Sequence, residues 1–167
     1  MTLRLILTRH AKSSWADPSA DDHRRPLNAR GEESARAIGA WLAERAYVPH
    51  QALVSSSQRT RQTWGLISSA FDSAPDASFL DALYHSEPET LMERLRGAEG
   101  STVMMIAHNP GIAYFAQGLV DVQPSDSRFE RYPTAATSVI DFEAPDWSAV
   151  TWNAGTITDL VFVRDLI

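Results

Sequence analysis

Short apolar segments alternate with segments of helical periodicity over the first two-thirds of the chain, and this alternation limits the fold more than any other feature of the sequence. Three apolar segments are typical of strands buried on both faces, and they lie at Leu3 to Thr8, Ala52 to Ser55 and Thr102 to Ala107. A predicted helix follows each of them. Strands that alternate with helices predict an α/β fold, in which helices flank a sheet.

Local signals predict where the helices begin and end. Their expected ranges are about 28–46, 57–71, 86–97 and 109–119. Asn28 is a suitable N-cap for the first helix, and Ser86 with Glu89 forms a capping box at the start of the third. Asn109 and Pro110 predict the start of the fourth helix, with Asn109 as the N-cap and the proline at the first helical position.

The C-terminal third has a different pattern, because its apolar segments are separated by turns rather than by helices. Three more strands are predicted there, at about 138–142, 150–152 and 160–163. We expect these strands to extend the same sheet. A chain of 167 residues fits a single domain, so residues 1–167 are interpreted as one α/β domain.

Composition and charge exclude several functions. The chain has no cysteine, which excludes a disulfide framework, a thiol nucleophile and a thiolate metal site. Its formal net charge of −6 argues against nucleic acid as a partner, because phosphate backbones require a basic surface. No apolar segment approaches the roughly 20 residues that a membrane span needs, and the N-terminal apolar run is too short for a signal peptide. We therefore expect a cytoplasmic protein without a membrane partner, while its oligomeric state stays open.

Basic and imidazole side chains follow all three early strands. They are Arg9, His10 and Lys12 after the first strand, Arg59 and Arg61 after the second, and His108 after the third. In open α/β sheets, ligands bind outside the carboxyl ends of the strands. The sequence therefore predicts that these groups converge on one pocket.

The positions of these residues favour an anionic ligand. Arg59 and Arg61 lie in the first turn of a predicted helix, where the helix dipole disfavours cations unless an anion binds beside them. His108 precedes another helix N-terminus, whose free N–H groups also suit an anion. Arginine forks match phosphate oxygens, and no cluster of metal ligands is visible, so we expect a phosphate-like ligand and neither a metal nor another cofactor. The remaining histidines are interpreted as structural or solvated residues: His23, His50 and His85.

Three segments resemble the motifs of the histidine phosphatase (phosphoglycerate mutase-like) superfamily. Leu-Thr-Arg-His-Ala at 7–11 resembles its Arg-His-Gly signature, and Ser-Ser-Ser-Gln-Arg-Thr-Arg-Gln-Thr at 55–63 resembles its Ser-x-x-x-Arg-Ala-x-Gln-Thr segment. Ala-His-Asn-Pro-Gly at 107–111 resembles its second histidine motif. The order of the three matches the family, and the segments at 9–15 and 25–31 resemble the branch of SixA-type phosphohistidine phosphatases.

The resemblance implies a three-layer α/β/α sandwich with a mostly parallel central sheet. It also implies that His10 is the nucleophile. Ala11 replaces the glycine that is usual in the family. The groups expected to bind the phosphoryl group or the rest of the substrate are Arg9, Arg59, His108, Lys12 and Asn109. Inorganic phosphate is expected to bind among them.

The proton donor is expected in the middle of the chain, where Asp81 is the candidate in a segment without a clear acid motif. Phosphohistidine has an imidazole leaving group that needs little protonation, whereas an alkoxide needs an acid. We therefore expect a metal-independent phosphatase with a phosphohistidine intermediate on His10 and with phosphohistidine on a protein as its substrate. A phosphatase for a small-molecule phosphomonoester and a non-enzymatic phosphate-binding domain are the alternatives.

Overall fold

The computed structural model describes residues 1–167. The strands are β1 (Thr2–Arg9), β2 (Gln51–Ser55), β3 (Ala77–Leu80), β4 (Thr102–Ala107), β5 (Thr137–Glu143) and β6 (Thr156–Val161). The helices are α1 (Ala29–Glu44), α2 (Gln58–Ser68), α3 (Pro88–Arg96), α4 (Gly111–Leu119) and α5 (Arg128–Arg131). Short 3₁₀ turns lie at Asp22–Arg24, Asp81–Leu83, Trp147–Ala149 and Val163–Asp165. None of the helices combines the length and the apolar character that a membrane crossing requires.

All the strands form one sheet in the order β3-β2-β4-β1-β5-β6. β1, β2, β3 and β4 run parallel to one another, whereas β5 runs antiparallel to both β1 and β6. The predicted α/β class, with a mostly parallel central sheet between two helical layers, is confirmed. The C-terminal strands extend the same sheet, as the sequence predicts.

The central strands contribute side chains to two cores. In β1, Leu5 and Leu7 belong to one core and Ile6 to the other, because successive side chains of a strand point to opposite faces. Residues of α1 and α2 cover the Ile6 face, and residues of α3 and α4 cover the opposite face. Burial on both faces explains why Leu5 to Leu7 and Val103 to Ala107 are uninterrupted apolar segments.

One strand and one helix have no counterpart in the sequence-based prediction. β3 lies at the edge of the sheet and exposes Ser78 and Phe79, so it lacks the apolar run by which the buried strands are predicted. α5 has only four residues, which is too short to show a helical period. The local sequence therefore gives only a weak signal for β3 and α5, and their conformations depend on tertiary contacts.

Two of the C-terminal strand predictions need correction. A strand at 150–152 is wrong, because Trp147–Ala149 forms a 3₁₀ turn and Val150 is buried where the following loop packs on the core. The last strand is Thr156–Val161 rather than 160–163, since another 3₁₀ turn begins at Val163. In both cases buried apolar residues lie in or beside turns, and hydrophobic periodicity alone predicts a strand at such residues.

The predicted N-cap of the first helix is confirmed, whereas the predicted capping box of the third helix is wrong. Asn28 caps α1 as predicted, since its side-chain oxygen accepts a backbone N–H at 2.8 Å. The capping box of Ser86 and Glu89 is wrong, because α3 begins at Pro88 and the hydroxyl of Ser86 donates to the carbonyl of Leu83 at 3.3 Å. The serine therefore closes the preceding turn instead of capping the helix.

The predicted start of the fourth helix is wrong by one residue. α4 begins at Gly111, so Pro110 occupies the N-cap position and Asn109 precedes it, with a cis peptide bond between the two. The side-chain amide of Asn109 donates to the carbonyl oxygens of Arg131 at 2.8 Å and Tyr132 at 3.3 Å. Asn109 thus ties the loop after β4 to the end of α5 instead of capping α4.

Candidate active site

The carboxyl ends of β1, β2 and β4 meet around a cavity of about 440 Å³. β4 lies between β1 and β2 and is parallel to both, so the residues that follow the three strands leave the sheet at the same edge. We call this the strand-end cavity, and its main lining residues are Arg9, His10, Asp22, Arg25, Arg59 and His108. The structure thus brings together groups that the sequence predicts at three separate strand ends.

His10 is buried, and its hydrogen bonding leaves one ring nitrogen free. Nδ1 lies 2.7 Å from the carbonyl oxygen of Ala11, and because a carbonyl only accepts, Nδ1 carries the ring proton. The N–H of Ala11 donates to Thr63 Oγ1 at 3.0 Å, which ties the backbone at Ala11 to α2. The pKa of His10 is lowered to about 3, mainly by burial and in part by the charges of Arg9 and Arg59, while the hydrogen bond to Ala11 opposes this shift. The imidazole is therefore neutral near pH 7, with a lone pair on Nε2 that can act as a nucleophile.

Arg59 is held by Asp22, a residue that the sequence analysis does not single out. The buried guanidinium of Arg59 donates to the backbone oxygen of Asp22 at 2.6 Å and to its carboxylate at 2.9 Å. Arg25 donates to the same carboxylate at 2.9 Å, and Tyr84 donates to it as well. Desolvation raises the pKa of Asp22, but the donors Tyr84, Arg59 and Arg25 outweigh it and hold that pKa well below its usual range. Asp22 is therefore a fixed anion that orients two arginines.

His108 lies beside His10, with 5.2 Å between the ring centroids. Its Nε2 is 2.8 Å from the hydroxyl of Ser55 at the end of β2. The pKa of His108 is lowered to about 2, mainly by burial and in part by the neighbouring His10 and Arg59, while Asp22 partly opposes the shift. The cavity thus contains two neutral imidazoles among fixed guanidinium groups.

The cavity has more positive charge than its own residues neutralise. Its cations are Arg9, Lys12, Arg25 and Arg59, whereas Asp22 is the one carboxylate in its lining. Burial and the nearby Arg59 both lower the pKa of Arg9. The buried side-chain polar atoms without a hydrogen-bond partner also belong to lining residues: Arg9 Nε, His108 Nδ1 and Asn109 Oδ1. Folded proteins leave few such atoms. A bound anion would offset the charge and accept a hydrogen bond from Arg9 Nε, whereas Asn109 Oδ1 needs a donor.

The other predicted site residues divide into two groups. Lys12 and Asn109 line the cavity, whereas Arg61 and Asp81 do not. Arg61 is two residues from Arg59, and 3.6 residues per helical turn place the two side chains on opposite sides of α2. Asp81 is exposed in the 3₁₀ turn after β3. The candidate proton donor therefore lies outside the cavity that contains His10.

His85 is the histidine whose interpretation changes most. Its side chain is 56% exposed, as expected of a solvated residue, yet it also lines the cavity, with Nε2 at 3.2 Å from the carboxylate of Asp22. Its φ of 51° is a left-handed conformation that is uncommon outside glycine and is found repeatedly at functional sites. His23 and His50 lie outside the lining, where they bond to Ser56 and to the backbone of Thr102.

Sequence analysis also misses the residues that reach the cavity from the loop between β1 and α1. Arg25 is buried and its guanidinium lies 3.3 Å from the ring centroid of the exposed Trp15. Both residues lie in the segments at 9–15 and 25–31 that resemble the SixA-type branch, and this resemblance is the signal that could have identified them. Asp22 lies between these segments, in a polar loop without a comparable signal.

Comparisons with known proteins agree with this geometry. A family model described as the histidine phosphatase superfamily (branch 1) matches residues 5–83. The uncharacterized protein Rv1276c of Mycobacterium tuberculosis is 32% identical over 139 residues, which are 79% of this chain and 85% of that protein. The uncharacterized chloroplastic protein At3g52155 of Arabidopsis thaliana is 32% identical over 119 residues, which are 65% of this chain; the chain spans about half of that protein, 55% of its length.

Solved structures share the fold over nearly the whole chain. The structure of a candidate phosphohistidine phosphatase SixA from Agrobacterium tumefaciens is similar with a TM-score of 0.80 and 26% identity, and the match covers 96% of this chain and 97% of that one. The protein histidine phosphatase SixA complexed with tungstate has a TM-score of 0.78 at 20% identity, with coverage of 99% and 100%. A phosphoserine phosphatase mutant from Entamoeba histolytica has a TM-score of 0.67 at 12% identity, with the same coverage.

Proposed function

This chain belongs to the histidine phosphatase superfamily, and from that premise we propose that it is a phosphatase that removes the phosphoryl group from phosphohistidine on a protein and carries it transiently on His10. The nucleophile is supported by the hydrogen bond from His10 Nδ1 to the carbonyl of Ala11, which leaves Nε2 unprotonated. A merely phosphate-binding domain would not need a free ring nitrogen among the cations.

The proposed reaction has two displacements at phosphorus. In the first, Nε2 of His10 forms a bond to phosphorus, the bond from phosphorus to the substrate imidazole breaks, and the departing imidazole takes a proton from solvent. In the second, water attacks the phosphorus, the bond to His10 breaks, and the water proton passes to solvent as inorganic phosphate leaves. The proton that stays on Nδ1, donated to Ala11, makes His10 a good leaving group in this second step.

The charges around His10 are arranged to stabilise the transferring group. Arg9, Arg59 and His108 would surround the equatorial oxygens, where negative charge is spread in the transition state. Arg59 is already fixed by Asp22, so it needs no reorganisation when the substrate arrives. Arginines supply the positive charge that a metal ion provides in other phosphatases, which supports a reaction independent of metal.

The state of Asp22 is the observation that carries the substrate proposal. It is the one carboxylate in the lining, and its three donors keep it ionised, so it is an orienting anion and not a proton donor. Asp81 is outside the lining. A substrate whose leaving group needs little protonation suits such a site, and the imidazole of phosphohistidine meets this condition, whereas an alkoxide does not.

The position of His85 favours a second candidate, a phosphatase for a small phosphomonoester. Its Nε2 lies 3.2 Å from Asp22 at the cavity, where a protonated imidazole could donate to the oxygen of an alkyl leaving group. This candidate predicts that His85→Asn lowers kcat for alkyl phosphates about 10²-fold, with a much smaller effect on aryl phosphates, whose leaving group needs less help.

A substrate panel tests the proposal. We would measure kcat/KM, with and without EDTA, for a phosphohistidine peptide, phosphoserine and an aryl phosphate. We expect the highest value for the phosphohistidine peptide and no change in EDTA. A higher kcat/KM for phosphoserine would overturn the substrate proposal in favour of the small phosphomonoester. A loss of activity in EDTA that a divalent ion restores would overturn the metal-independent reaction.

A further inference from the structure

A second cavity, of about 610 Å³, adjoins the strand-end cavity and shares Arg9, Lys12 and Thr134 with it. We call it the basic cavity, because its lining contains six cations, Arg9, Lys12, Arg30, Arg128, Arg131 and Arg164, and no aspartate or glutamate. The reaction proposed above uses Arg9 alone among them. The proposed steps at His10 assign no role to the other five cations, of which Lys12 lines both cavities.

The basic cavity is exceptional on a protein of this charge. The chain has 15 lysines and arginines against 21 acidic residues, yet six cations and no aspartate or glutamate line this one cavity. A local field of one sign on a protein of opposite net charge attracts oppositely charged ligands and steers them as they approach. The ligand of this surface is therefore expected to be anionic.

Most of these cations are available to a ligand. Arg128 is neutralised within the protein, by Asp126 at 2.7 Å and Asp165 at 2.9 Å. Lys12, Arg30, Arg131 and Arg164 are exposed, and they form no ion pair with any acidic side chain. They come from the loop after β1, from α1, from α5 and from the C-terminal 3₁₀ turn, so a ligand that contacts all four must extend across several elements.

We propose that the basic cavity binds acidic side chains of the phosphoprotein substrate, so that the preferred phosphohistidine stands beside aspartates or glutamates on the partner's surface. This inference rests on the proposed function. Arginine forks match carboxylate oxygens, and cations on four separate elements suit a protein surface that carries several acidic side chains better than one small ligand. The shared residues Arg9 and Lys12 make the two cavities continuous, so one substrate can occupy both.

A pair of matched phosphohistidine peptides tests the inference. The two have the same sequence, except that one carries Asp and Glu on both sides of the phosphohistidine where the other carries Asn and Gln. We expect the wild-type chain to show a kcat/KM about tenfold higher for the acidic peptide at low salt. The ratio should approach one at about 0.5 M NaCl, where screening weakens exposed ion pairs.

Charge-reversed variants locate the effect. In the double variant Arg131→Glu/Arg164→Glu, we expect the acidic-to-neutral ratio to fall about tenfold, to one or below, at low salt. Turnover of the neutral peptide reports whether this variant is folded. The control is Arg36→Glu/Arg94→Glu, which changes the net charge equally at exposed positions outside both cavities and should keep the wild-type ratio.

The outcomes separate the inference from the proposed function. Equal kcat/KM for the two peptides in the wild-type chain would overturn the inference, as would an equal loss of preference in the control variant. A small bisphosphate that is hydrolysed faster than the acidic peptide would also overturn it and would assign the basic cavity to a small ligand. Hydrolysis of the aryl phosphate but of neither peptide would overturn the proposed substrate, and the inference with it.

Discussion

The two adjoining cavities concentrate positive charge in different ways. In the strand-end cavity, His10, Arg59 and His108 are at most 7% exposed, and each is held by a hydrogen bond to a neighbouring group. In the basic cavity, Arg131 and Arg164 are exposed and unpaired. Buried, fixed groups can act on the transition state without reorganising, whereas exposed charges are screened and act mainly on encounter. Substitutions in the first cavity should therefore cost orders of magnitude, and those in the second should cost small, salt-dependent factors.

The largest effect is expected from His10→Ala. Because this variant removes the nitrogen that we propose to accept the phosphoryl group, kcat should fall by about 10⁴-fold or more. In the wild-type chain, a rapid quench with labelled substrate should trap acid-labile, alkali-stable phosphate on His10, and the variant should trap none. His50→Ala, at an exposed histidine outside the cavity, is the control. Turnover of His10→Ala near the wild-type rate would exclude His10 as the nucleophile.

The next largest effects are expected from Arg59→Ala and His108→Ala. Each variant removes one preorganised group around the phosphoryl oxygens, so each should lower kcat/KM by about 10²-fold or more, mainly through kcat. Arg61→Ala is the matched control, because Arg61 is on the same helix but outside the cavity. Binding of inorganic phosphate, measured by calorimetry, should weaken in the first two variants only. Equal effects of Arg59→Ala and Arg61→Ala would show that kcat/KM depends on the positive charge near α2 and not on the fixed position of Arg59.

The buried imidazoles also predict how stability depends on pH. Folding lowers the pKa of His10 to about 3 and of His108 to about 2, so the unfolded chain binds more protons than the folded chain below pH of about 6.5. The stability that these neutral histidines contribute is complete above that pH and is lost as the pH falls. Between pH 7 and pH 5, each should lower the free energy of unfolding by about 1–2 kcal/mol.

Urea unfolding in phosphate-free buffer measures this loss. We expect the free energy of unfolding of His108→Gln to fall less between the two pH values than that of the wild-type chain, because glutamine cannot be protonated. Arg131→Glu/Arg164→Glu should keep the wild-type pH dependence, since neither position is in the strand-end cavity. An identical fall in His108→Gln and the wild-type chain would show that His108 is not buried as a neutral group.

The parts of the site that follow buried strands could be predicted from the sequence. His10 and His108 directly follow β1 and β4, and parallel neighbouring strands bring such residues to one edge of the sheet. The same patterns predict the buried strands closely, whereas the exposed edge strand β3 carries too weak a pattern. Arg61 could have been set apart from Arg59 by helical periodicity alone.

Asp22 and His85 could not be predicted, because contacts distant in sequence hold them at the cavity. The carboxylate of Asp22 accepts hydrogen bonds from Arg59 and Tyr84, which are 37 and 62 residues away. His85 lies in a loop, in a backbone conformation that no local signal predicts for histidine. Loop residues of this kind need the assembled fold before their partners are known.

The smallest effect is expected from Lys12, the exposed residue that lines both cavities. Its backbone is fixed, since its carbonyl accepts the N–H of Asn28 at 3.0 Å, but its ammonium group has no ion pair and stays free to move. We expect Lys12→Ala to lower kcat/KM for an acidic phosphohistidine peptide about threefold at low salt, through KM, and the loss to disappear at about 0.5 M NaCl. Lys12→Arg keeps the charge and should stay near the wild-type value. A fall in kcat of about 10²-fold that persists at high salt would instead place Lys12 among the fixed groups of the strand-end cavity. The contrast between the two cavities would then not hold at Lys12, where they meet.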